Sequence, residues 1–305
     1  MSSPTMTETQ SGEATRGLAF ALGAYLFWGL QPIFMKAVAH IPAFEVVAHR
    51  ILWSVPIAGV VLLLLGRTAD LKAALRSPRT LAMAAVTAAI IIVNWTIYTW
   101  AIAVDRAVDT ALGYYINPLV SVLMGAVLLG ERFTVPQIVA LALATLAVPV
   151  LTIESGGIPW ISLALAITFA VYGYLRKTLP IGPSQGFFLE VLLLSGPCLA
   201  YIVWIQLNGT GHFLPSKPVD FALLLACGPI TATPLLLYAF GAKLLRLSTL
   251  GLMQYLAPTM VLMIAVFVFG EPFDMIHGIA FGLIWLALII YSWSMLASRS
   301  VNSGN

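Results

Sequence analysis

Charged residues are scarce in this chain, and their scarcity argues against a water-soluble protein. Asp, Glu, Lys and Arg make up only 9% of the 305 residues, while 60% are apolar and the mean hydropathy is +0.98. A soluble domain carries roughly 25% charged residues. The formal net charge of +3 is small, and no run of basic residues suggests a nucleic-acid surface. The composition therefore predicts a chain that is embedded in lipid.

Cysteine and the common catalytic motifs are also scarce or missing. The two cysteines, Cys198 and Cys227, both lie in apolar stretches, so neither a disulfide framework nor a zinc site has support. The sequence contains no Gly-x-Ser-x-Gly elbow, no His-Glu-x-x-His, no paired intramembrane aspartates and no nucleotide-binding loop. These absences argue against an intramembrane hydrolase and against direct coupling to ATP. We expect no enzyme activity, no cofactor and no metal.

What the chain has in abundance is long apolar runs. They recur every 25–30 residues, and each is close to the roughly 20 residues that cross a bilayer. Because lipid cannot satisfy backbone groups, such continuous runs predict helices. We predict ten spans, at residues 17–38, 43–65, 80–103, 110–130, 134–152, 157–176, 184–207, 219–241, 249–270 and 274–297. The predicted connections are short except Gly66–Arg79 and Asn208–Pro218.

The distribution of basic residues predicts the orientation. With Arg16 inside, the cytoplasmic segments collect eleven of the fifteen basic residues, whereas the opposite side receives only Arg106 and Lys217. The positive-inside rule then places both termini in the cytoplasm. The polar start of the chain does not match a cleavable signal peptide. We therefore predict a disordered cytoplasmic tail at 1–16 and a second cytoplasmic tail at 299–305.

The second half of the chain repeats the first at a distance of 140 residues. The matched pairs include Leu112/Leu252, Tyr115/Tyr255, Pro118/Pro258, Gly130/Gly270, Glu131/Glu271 and Phe133/Phe273. Five helices per half is an odd number, so the second half enters the membrane from the opposite side. The predicted fold is all-α: a polytopic membrane protein with ten transmembrane helices, built as an inverted five-plus-five repeat of residues 17–155 and 156–298. This construction is typical of secondary transporters, which bind their substrate where the halves meet.

Ionisable residues inside the second span are candidates for a substrate cavity. Glu45 and His49 are one helical turn apart, and Arg50 and Trp53 follow on the same helix. One interpretation is a polar, aromatic-lined wall near the outer mouth of a cavity. The alternatives are an Arg-carboxylate pair that fixes helix packing, or an arginine that reaches the headgroups. We expect Glu45 to lie near the outer boundary and to be hydrated.

Glu190, in the seventh span, is the preferred proton-coupling candidate, with Glu45 second. Burial disfavours the charged form of a carboxylate, so such a group can take up and release a proton. If Trp28 and Gly29 are matched with Tyr172 and Gly173, Glu190 falls within a residue of Glu45 in the repeat. A carboxylate that is hydrogen-bonded to backbone is the structural alternative.

The other cavity candidates are polar or aromatic residues on four further spans. In the first span, Pro32 predicts a kink or break near Gly29, which would open backbone towards a cavity. Tyr115 and Tyr255 occupy matched positions and are expected to face each other. We interpret Gly130–Glu131 and Gly270–Glu271 as structural helix ends. The full set of additional candidates is Trp28, Gln31, Lys36, Asn94, Tyr98, Tyr115, Asn117, Gln254 and Tyr255.

Several motifs resemble a known family. They are AYLFWGLQPIFMK (24–36), EVVAHRILWS (45–54), NWTIYTWA (94–101), LGYYINPLVSVLMGAVLLGERF (112–133), YGYLRK (172–177) and LLRLSTLGLMQYLAPT (244–259). Over residues 17–296 the chain is similar to the EamA branch of the drug/metabolite transporter superfamily. The resemblance implies a ten-helix carrier of the bacterial inner membrane with both termini inside. It supplies no agreed catalytic motif, and Arg132 and Pro272 depart from the small residue often found in the family's Gly-Glu loops.

The resulting functional hypothesis is a secondary transporter. It would move a small metabolite or drug-like molecule by alternating access, with proton coupling as an option. The expected partners are a small-molecule substrate and the lipid bilayer, without nucleic acid, for a monomer or a homodimer. The alternatives are a membrane receptor or assembly factor that transports nothing, and an intramembrane enzyme.

Overall fold

A computed structural model describes residues 8–66, 68–129, 134–155, 158–245, 249–250 and 253–302. The regular elements in these ranges are all helices. They are α1 (Glu8–Ala37), α2 (Ala43–Leu64), α3 (Thr68–Leu75), α4 (Pro78–Ala103), α5 (Ala107–Leu129), α6 (Val135–Ser155), α7 (Trp160–Thr178), α8 (Pro183–Leu207), α9 (Pro218–Leu244), α10 (Leu256–Phe267) and α11 (Met275–Asn302).

Ten of these helices coincide with the ten predicted spans, which confirms an all-α, polytopic membrane protein. Six described segments are long and apolar enough to cross a membrane: Thr15–Ala37, Ala43–Leu64, Pro78–Ala103, Ser184–Leu207, Pro218–Ala242 and Met275–Trp293. Shorter apolar helical segments are Val135–Val150, Trp160–Arg176 and Leu256–Phe267. The agreement has a simple cause, since a helix closes its backbone hydrogen bonds within one segment and each apolar run meets that requirement alone.

Helix boundaries differ from the sequence expectation at four places, and one of them is α10, which begins at Leu256 although the predicted span begins at residue 249. α1 begins at Glu8 and α11 continues to Asn302, so both helices extend into segments predicted to be tails. Once an apolar span has formed, adding a turn fixes one residue per hydrogen bond and costs little. The long connection at 66–79 contains α3. Ala74 of α3 packs with Ala84, Leu179 and Leu189, and this apolar contact accounts for a helix that the hydropathy pattern did not predict.

The sequence predicted a kink or a break near Gly29, and the break is wrong, because α1 passes both Gly29 and Pro32 without interruption, while the kink stays a prediction. Gly29 has a different use. A Cβ added at this position would lie 2.7 Å from Met260 Cβ, so the glycine lets a second segment approach α1 closely.

The described residues group into two compact units, and each combines segments from both predicted repeats. Unit 1 comprises Met1–Ala88 and Leu179–Met260, and unit 2 comprises Ala89–Thr178 and Val261–Asn305. In unit 1, α2 packs against α8 and α9, and α1 packs against α9. In unit 2, α5 packs against α7, and α11 packs against α6. The proposed division into repeats at 17–155 and 156–298 remains a prediction.

Two glycines show how tightly the helices approach. A Cβ at Gly228 of α9 would lie 2.4 Å from Trp53 Cβ and 2.5 Å from the Trp53 carbonyl oxygen on α2. A Cβ at Gly113 of α5 would lie 2.8 Å from the Ser162 carbonyl oxygen on α7. Such close backbone contact at small residues is the usual way in which helices pack in lipid, where the hydrophobic effect does not drive them together.

Polar and apolar side chains are distributed as a lipid solvent requires. Large apolar side chains such as Leu30, Val60, Trp204 and Ile289 are at least half exposed. Several ionisable or amide side chains are buried instead: Glu45, His49, Arg50, Asn94 and Glu190. Ionisable residues are costly within a bilayer and usually face the interior of the helix bundle. The buried polar groups are therefore where a functional site is to be sought.

Candidate functional site

The N-terminal half of α2 carries the main cluster of predicted site residues. Glu45 and His49 are each 1% exposed, and Arg50 is 3% exposed. Trp53 lies one turn beyond Arg50 and is half-buried. We call Glu45, His49, Arg50 and Trp53 the α2 cluster. Its contacts outside α2 include Thr231 of α9 and the loop between α8 and α9, and these partners all lie within unit 1.

Glu45 is held by the loop at 208–217, so the expectation that it is hydrated is wrong. Its Oε1 accepts a hydrogen bond from the backbone N–H of His212 at 2.7 Å, and its Oε2 lies 2.8 Å from His212 Nδ1. An ionised carboxylate only accepts, so Nδ1 carries the hydrogen in that state. Two charge-assisted hydrogen bonds to one loop residue make a strong anchor.

Phe213, the next residue in the loop, inserts beside the α2 cluster. Its ring centroid lies 4.8 Å from that of His49, 5.7 Å from that of Trp53 and 4.4 Å from that of Phe221. The Trp53 indole N–H donates to His49 Nδ1 at 3.0 Å, which assigns the hydrogen of neutral His49 to Nε2. His49 Nε2 is fully buried and has no hydrogen-bond partner among the described residues.

Arg50 makes a hydrogen bond between two helices. Its Nε donates to Thr231 Oγ1 on α9 at 3.0 Å, and its backbone carbonyl accepts from Ser54 Oγ at 2.6 Å. This geometry differs from that of a side chain that reaches for the headgroups, because the guanidinium lies inside the unit. The charge is held where a membrane protein normally keeps groups that contact substrate or partner charges.

Glu190 of α8 is 2% exposed, and the start of its helix gives it a match in the repeat other than Glu45. Three pairs of helices begin 140 residues apart: Ala43 with Pro183, Pro78 with Pro218, and Val135 with Met275. By this spacing Glu190 corresponds to Arg50, and Gln185 corresponds to Glu45. The pairing of Glu190 with Glu45 stays a prediction, because it depends on matching the aromatic-glycine dipeptides of α1 and α7, whose starts do not follow the 140-residue spacing.

An aromatic cluster joins α1 and α9 elsewhere in unit 1. Trp28 packs 5.6 Å from Tyr25 and 5.7 Å from Tyr238 between ring centroids, and the Tyr25 hydroxyl donates to the Leu250 carbonyl at 3.2 Å. The remaining candidates of this unit are half-buried: Gln31 and Lys36 on α1, and Gln254 and Tyr255 just before α10.

In unit 2 the two predicted asparagines bind backbone of α7. Asn94 Nδ2 donates to the Leu165 carbonyl at 3.1 Å and to Thr168 Oγ1 at 2.8 Å, while its Oδ1 accepts from the Tyr114 hydroxyl at 3.4 Å. Asn117 Nδ2 donates to the Ala166 carbonyl at 3.1 Å. The Asn94 amide is thus engaged by the protein itself, in the manner of polar contacts that fix helix packing in membranes.

The two predicted tyrosines of unit 2 are also packed within it. Tyr98 is buried and its ring lies 5.9 Å from that of Tyr114. Tyr115 is buried and makes edge contacts with Phe281 at 5.9 Å and Trp285 at 6.2 Å on α11. The expectation that Tyr115 faces Tyr255 stays a prediction.

Glu271 caps the start of α5, whereas the sequence predicted only that Gly270–Glu271 end a helix. Its Oε1 and Oε2 accept the backbone N–H groups of Ala107 and Val108 at 2.7 and 2.8 Å, at the start of α5. A carboxylate is well placed at a helix N-terminus. Burial nevertheless raises the pKa of Glu271, against the two backbone hydrogen bonds that lower it, and Asp105 and Asp109 add to the rise. Gly270 beside it has a φ of +70°, while Gly130–Glu131 lie outside the described residues.

Sequence reasoning missed His212, Phe213 and Thr231 as partners of the α2 cluster. The only local signal for the first two was a histidine next to an aromatic residue in a long connection, without helical periodicity. None of the predicted site residues lines the cavity of about 470 Å³ at Ala73, Ala74, Thr80, Pro180, Ile181 and Gly182. None of its described lining residues is ionisable.

The fold and the buried polar residues define a polytopic α-helical membrane protein of the transporter type. A profile described as the EamA-like transporter family matches residues 15–153. A solved crystal structure of another protein shares the fold, with a TM-score of 0.58 and 19% identity, over 93% of this chain and 98% of that one.

Curated relatives match over nearly their whole length. Protein RarD of Streptomyces exfoliatus is 40% identical over 93% of this chain and 90% of its own. An uncharacterized transporter of Vibrio cholerae is 37% identical over 94% and 95%, and Protein RarD of Escherichia coli K12 is 36% identical over 92% and 94%. The chain belongs to the EamA-like transporter family, as a RarD-like member of the drug/metabolite transporter superfamily.

Proposed function

We propose that this protein is a secondary transporter, a permease or exporter, that moves a small metabolite or drug-like molecule across the bacterial inner membrane by alternating access. Both termini are cytoplasmic in this proposal, and the protein is not an enzyme. The substrate and the bilayer are its partners, and it functions as a monomer or a homodimer without nucleic acid.

One observation carries the proposal. Two spanning helices that pack together, α2 and α8, each bury an ionisable side chain seven positions after the helix start, Arg50 and Glu190. That depth is about 10 Å along a helix. Keeping such groups within a bilayer costs roughly 2.5–3.5 kcal/mol each on insertion scales, and the usual reason is a substrate or ion pathway.

The depth of Glu190 supports it over Glu45 as the group that couples transport to protons. Glu45 lies two residues after the start of α2, and its carboxylate contacts the backbone N–H and Nδ1 of His212 in the loop, whereas Glu190 lies seven residues after the start of α8. Glu190 lies on α8, the helix that packs against α2, and it is as deeply buried as Arg50 on α2. A carboxylate at this depth can take up a proton from one side of the membrane and release it to the other side when the protein changes conformation.

Purified protein in proteoliposomes tests the function. Labelled amino acids, phenicols and small cationic drugs are screened with and without a pH gradient. We expect at least one class to accumulate, and accumulation of none would favour the receptor or assembly-factor alternative.

Proton coupling is tested with Glu190→Gln, which keeps shape and hydrogen bonding but fixes a neutral state. We expect its uptake to lose pH dependence while substrate still binds. Asp274→Asn is the matched control, because Asp274 is an exposed carboxylate outside the spanning helices. If Glu190→Gln retains the pH profile of the parent, Glu190 is a packing residue and the carrier is a facilitator.

A further inference from the structure

Hydrogen bonds to the C-terminal end of α8 hold the loop at 208–217 in place. The Gln206 amide donates to the Phe213 carbonyl at 2.8 Å, and the backbone N–H groups of Thr210 and Gly211 donate to the Ile205 carbonyl at 3.0 and 3.1 Å. These contacts present His212 and Phe213 together to the α2 cluster. The surrounding residues of the loop, such as Leu214, Ser216 and Lys217, are exposed.

The side chains of His212 and Phe213 make chemically different contacts with the α2 cluster. His212 supplies two N–H donors to the Glu45 carboxylate, and Phe213 supplies a flat apolar ring between His49, Trp53 and Phe221. Beneath them His49 Nε2 is a buried polar atom without a partner among the described residues. Leaving such an atom unpaired costs about 1–3 kcal/mol, so its persistence needs a reason.

We propose that His212–Phe213 is a displaceable plug that occupies a ligand subsite formed by Glu45, His49 and Trp53. The ligand that replaces it carries N–H donors for Glu45, a flat ring for the place of Phe213 and a hydrogen-bond acceptor for the His49 Nε2–H. This inference rests on the proposed function in one respect: the ligand is a transported substrate only if the protein is a transporter. Displacement of His212–Phe213 by a ligand does not itself require transport.

Charged groups around the plug agree with a donor-bearing ligand. Tyr201 of α8 lies close enough to Glu45 to interact with its charge, and Arg50 lies on the same helix as Glu45. The neighbouring pair His40–Asp220, at 2.8 Å, engages the Asp220 carboxylate separately. When His212 moves away, the Glu45 carboxylate loses its two contacts with that residue. An ammonium or amide N–H group of a ligand can replace them.

The plug is tested by access to position 49. In a background with Cys198→Ser and Cys227→Ser, His49→Cys is labelled by a membrane-impermeant maleimide applied to sealed vesicles from the side of residues 208–217. Adding His212→Gln should raise the labelling rate about tenfold or more, since hydrogen bonds to charged groups hold the loop closed. His277→Gln is the matched control, because His277 lies in unit 2, where it pairs with Asp274 just before α11 at 3.0 Å. An unchanged rate for a folded His212→Gln protein would overturn the plug.

The ligand chemistry is tested with native His49 and a nitroxide on Ser216→Cys. Millimolar phenylalanine amide, which carries an ammonium group, a carbonyl acceptor and a phenyl ring, should increase the nitroxide mobility, and 3-phenylpropionate, which carries the opposite charge on the same ring, should leave it unchanged. No response to the amine, or a response to the carboxylate alone, would refute the subsite. Plug release without transport of any compound would instead remove the proposed function and leave the subsite standing.

Discussion

Replacing Gly228 with alanine should destabilise the packing of α2 against α9. The added Cβ would lie 2.4 Å from Trp53 Cβ and 2.5 Å from the Trp53 carbonyl carbon and oxygen. Ordinary carbon–carbon contact is about 3.5 Å or more, so the two helices must separate by about 1 Å. Two of the three atoms are backbone, and no side-chain rotation relieves the overlap.

The magnitude follows from two contributions. Overpacking of this kind costs about 1–3 kcal/mol. Arg50 and Thr231 lie one helical turn from Trp53 and Gly228, so the same shift lengthens their 3.0 Å hydrogen bond beyond useful range. Loss of a hydrogen bond to a charged group adds about 1.5–3 kcal/mol. We expect a total loss of about 3–6 kcal/mol in the free energy of unfolding.

The assay is thermal unfolding in detergent, followed with a thiol-reactive fluorogenic dye. Cys198 and Cys227 are buried at 5% and 0% exposure and react only as the fold opens. Gly196→Ala in α8 is the matched control, because nothing lies within 4 Å of its added Cβ. The control should be neutral or slightly stabilising, since alanine favours helix by up to about 1 kcal/mol. Equal melting temperatures for Gly228→Ala and the parent would refute the close packing described at this crossing.

Three further predictions concern topology, a helix cap and a buried amide. Single cysteines at Gly209 and Ser77 in a Cys-free background should label and not label, respectively, from outside, and reversed labelling would exclude the proposed orientation. The raised pKa of Glu271 means that its proton stabilises the folded state fully below about pH 4.5, and that this contribution is lost as pH rises through the raised value. The melting-temperature advantage of the parent over Glu271→Gln should therefore shrink between pH 4.5 and 8, and a constant difference would contradict the argument. Asn94→Leu should cost about 1 kcal/mol through its lost contacts to α7. Thr96→Val, whose hydroxyl bonds only its own helix, should melt like the parent, and equal melting of both variants would show that the amide contacts contribute nothing.

The sequence by itself determined the class of protein and the positions of its helices. Each apolar run must satisfy its own backbone hydrogen bonds in lipid, so hydropathy alone places a helix such as α2 within one residue of its observed end. The 140-residue spacing also survives in the helix starts, as at Ala43 and Pro183. The sequence also placed Arg50 and Glu190 inside spans, where charge is costly, but it left open whether Arg50 reaches the headgroups, and only the structure shows it buried.

Tertiary structure alone decided what those buried groups contact. Glu45 binds His212, 167 residues away, and Arg50 binds Thr231, 181 residues away. In unit 2, the Glu271 carboxylate that caps α5 binds Ala107, which is 164 residues away along the chain. Periodicity along one helix reports which face is polar, but it carries no information about which loop or helix meets that face. That choice is made by packing, because close contacts such as Gly228 against Trp53 fix which side chains can reach each other.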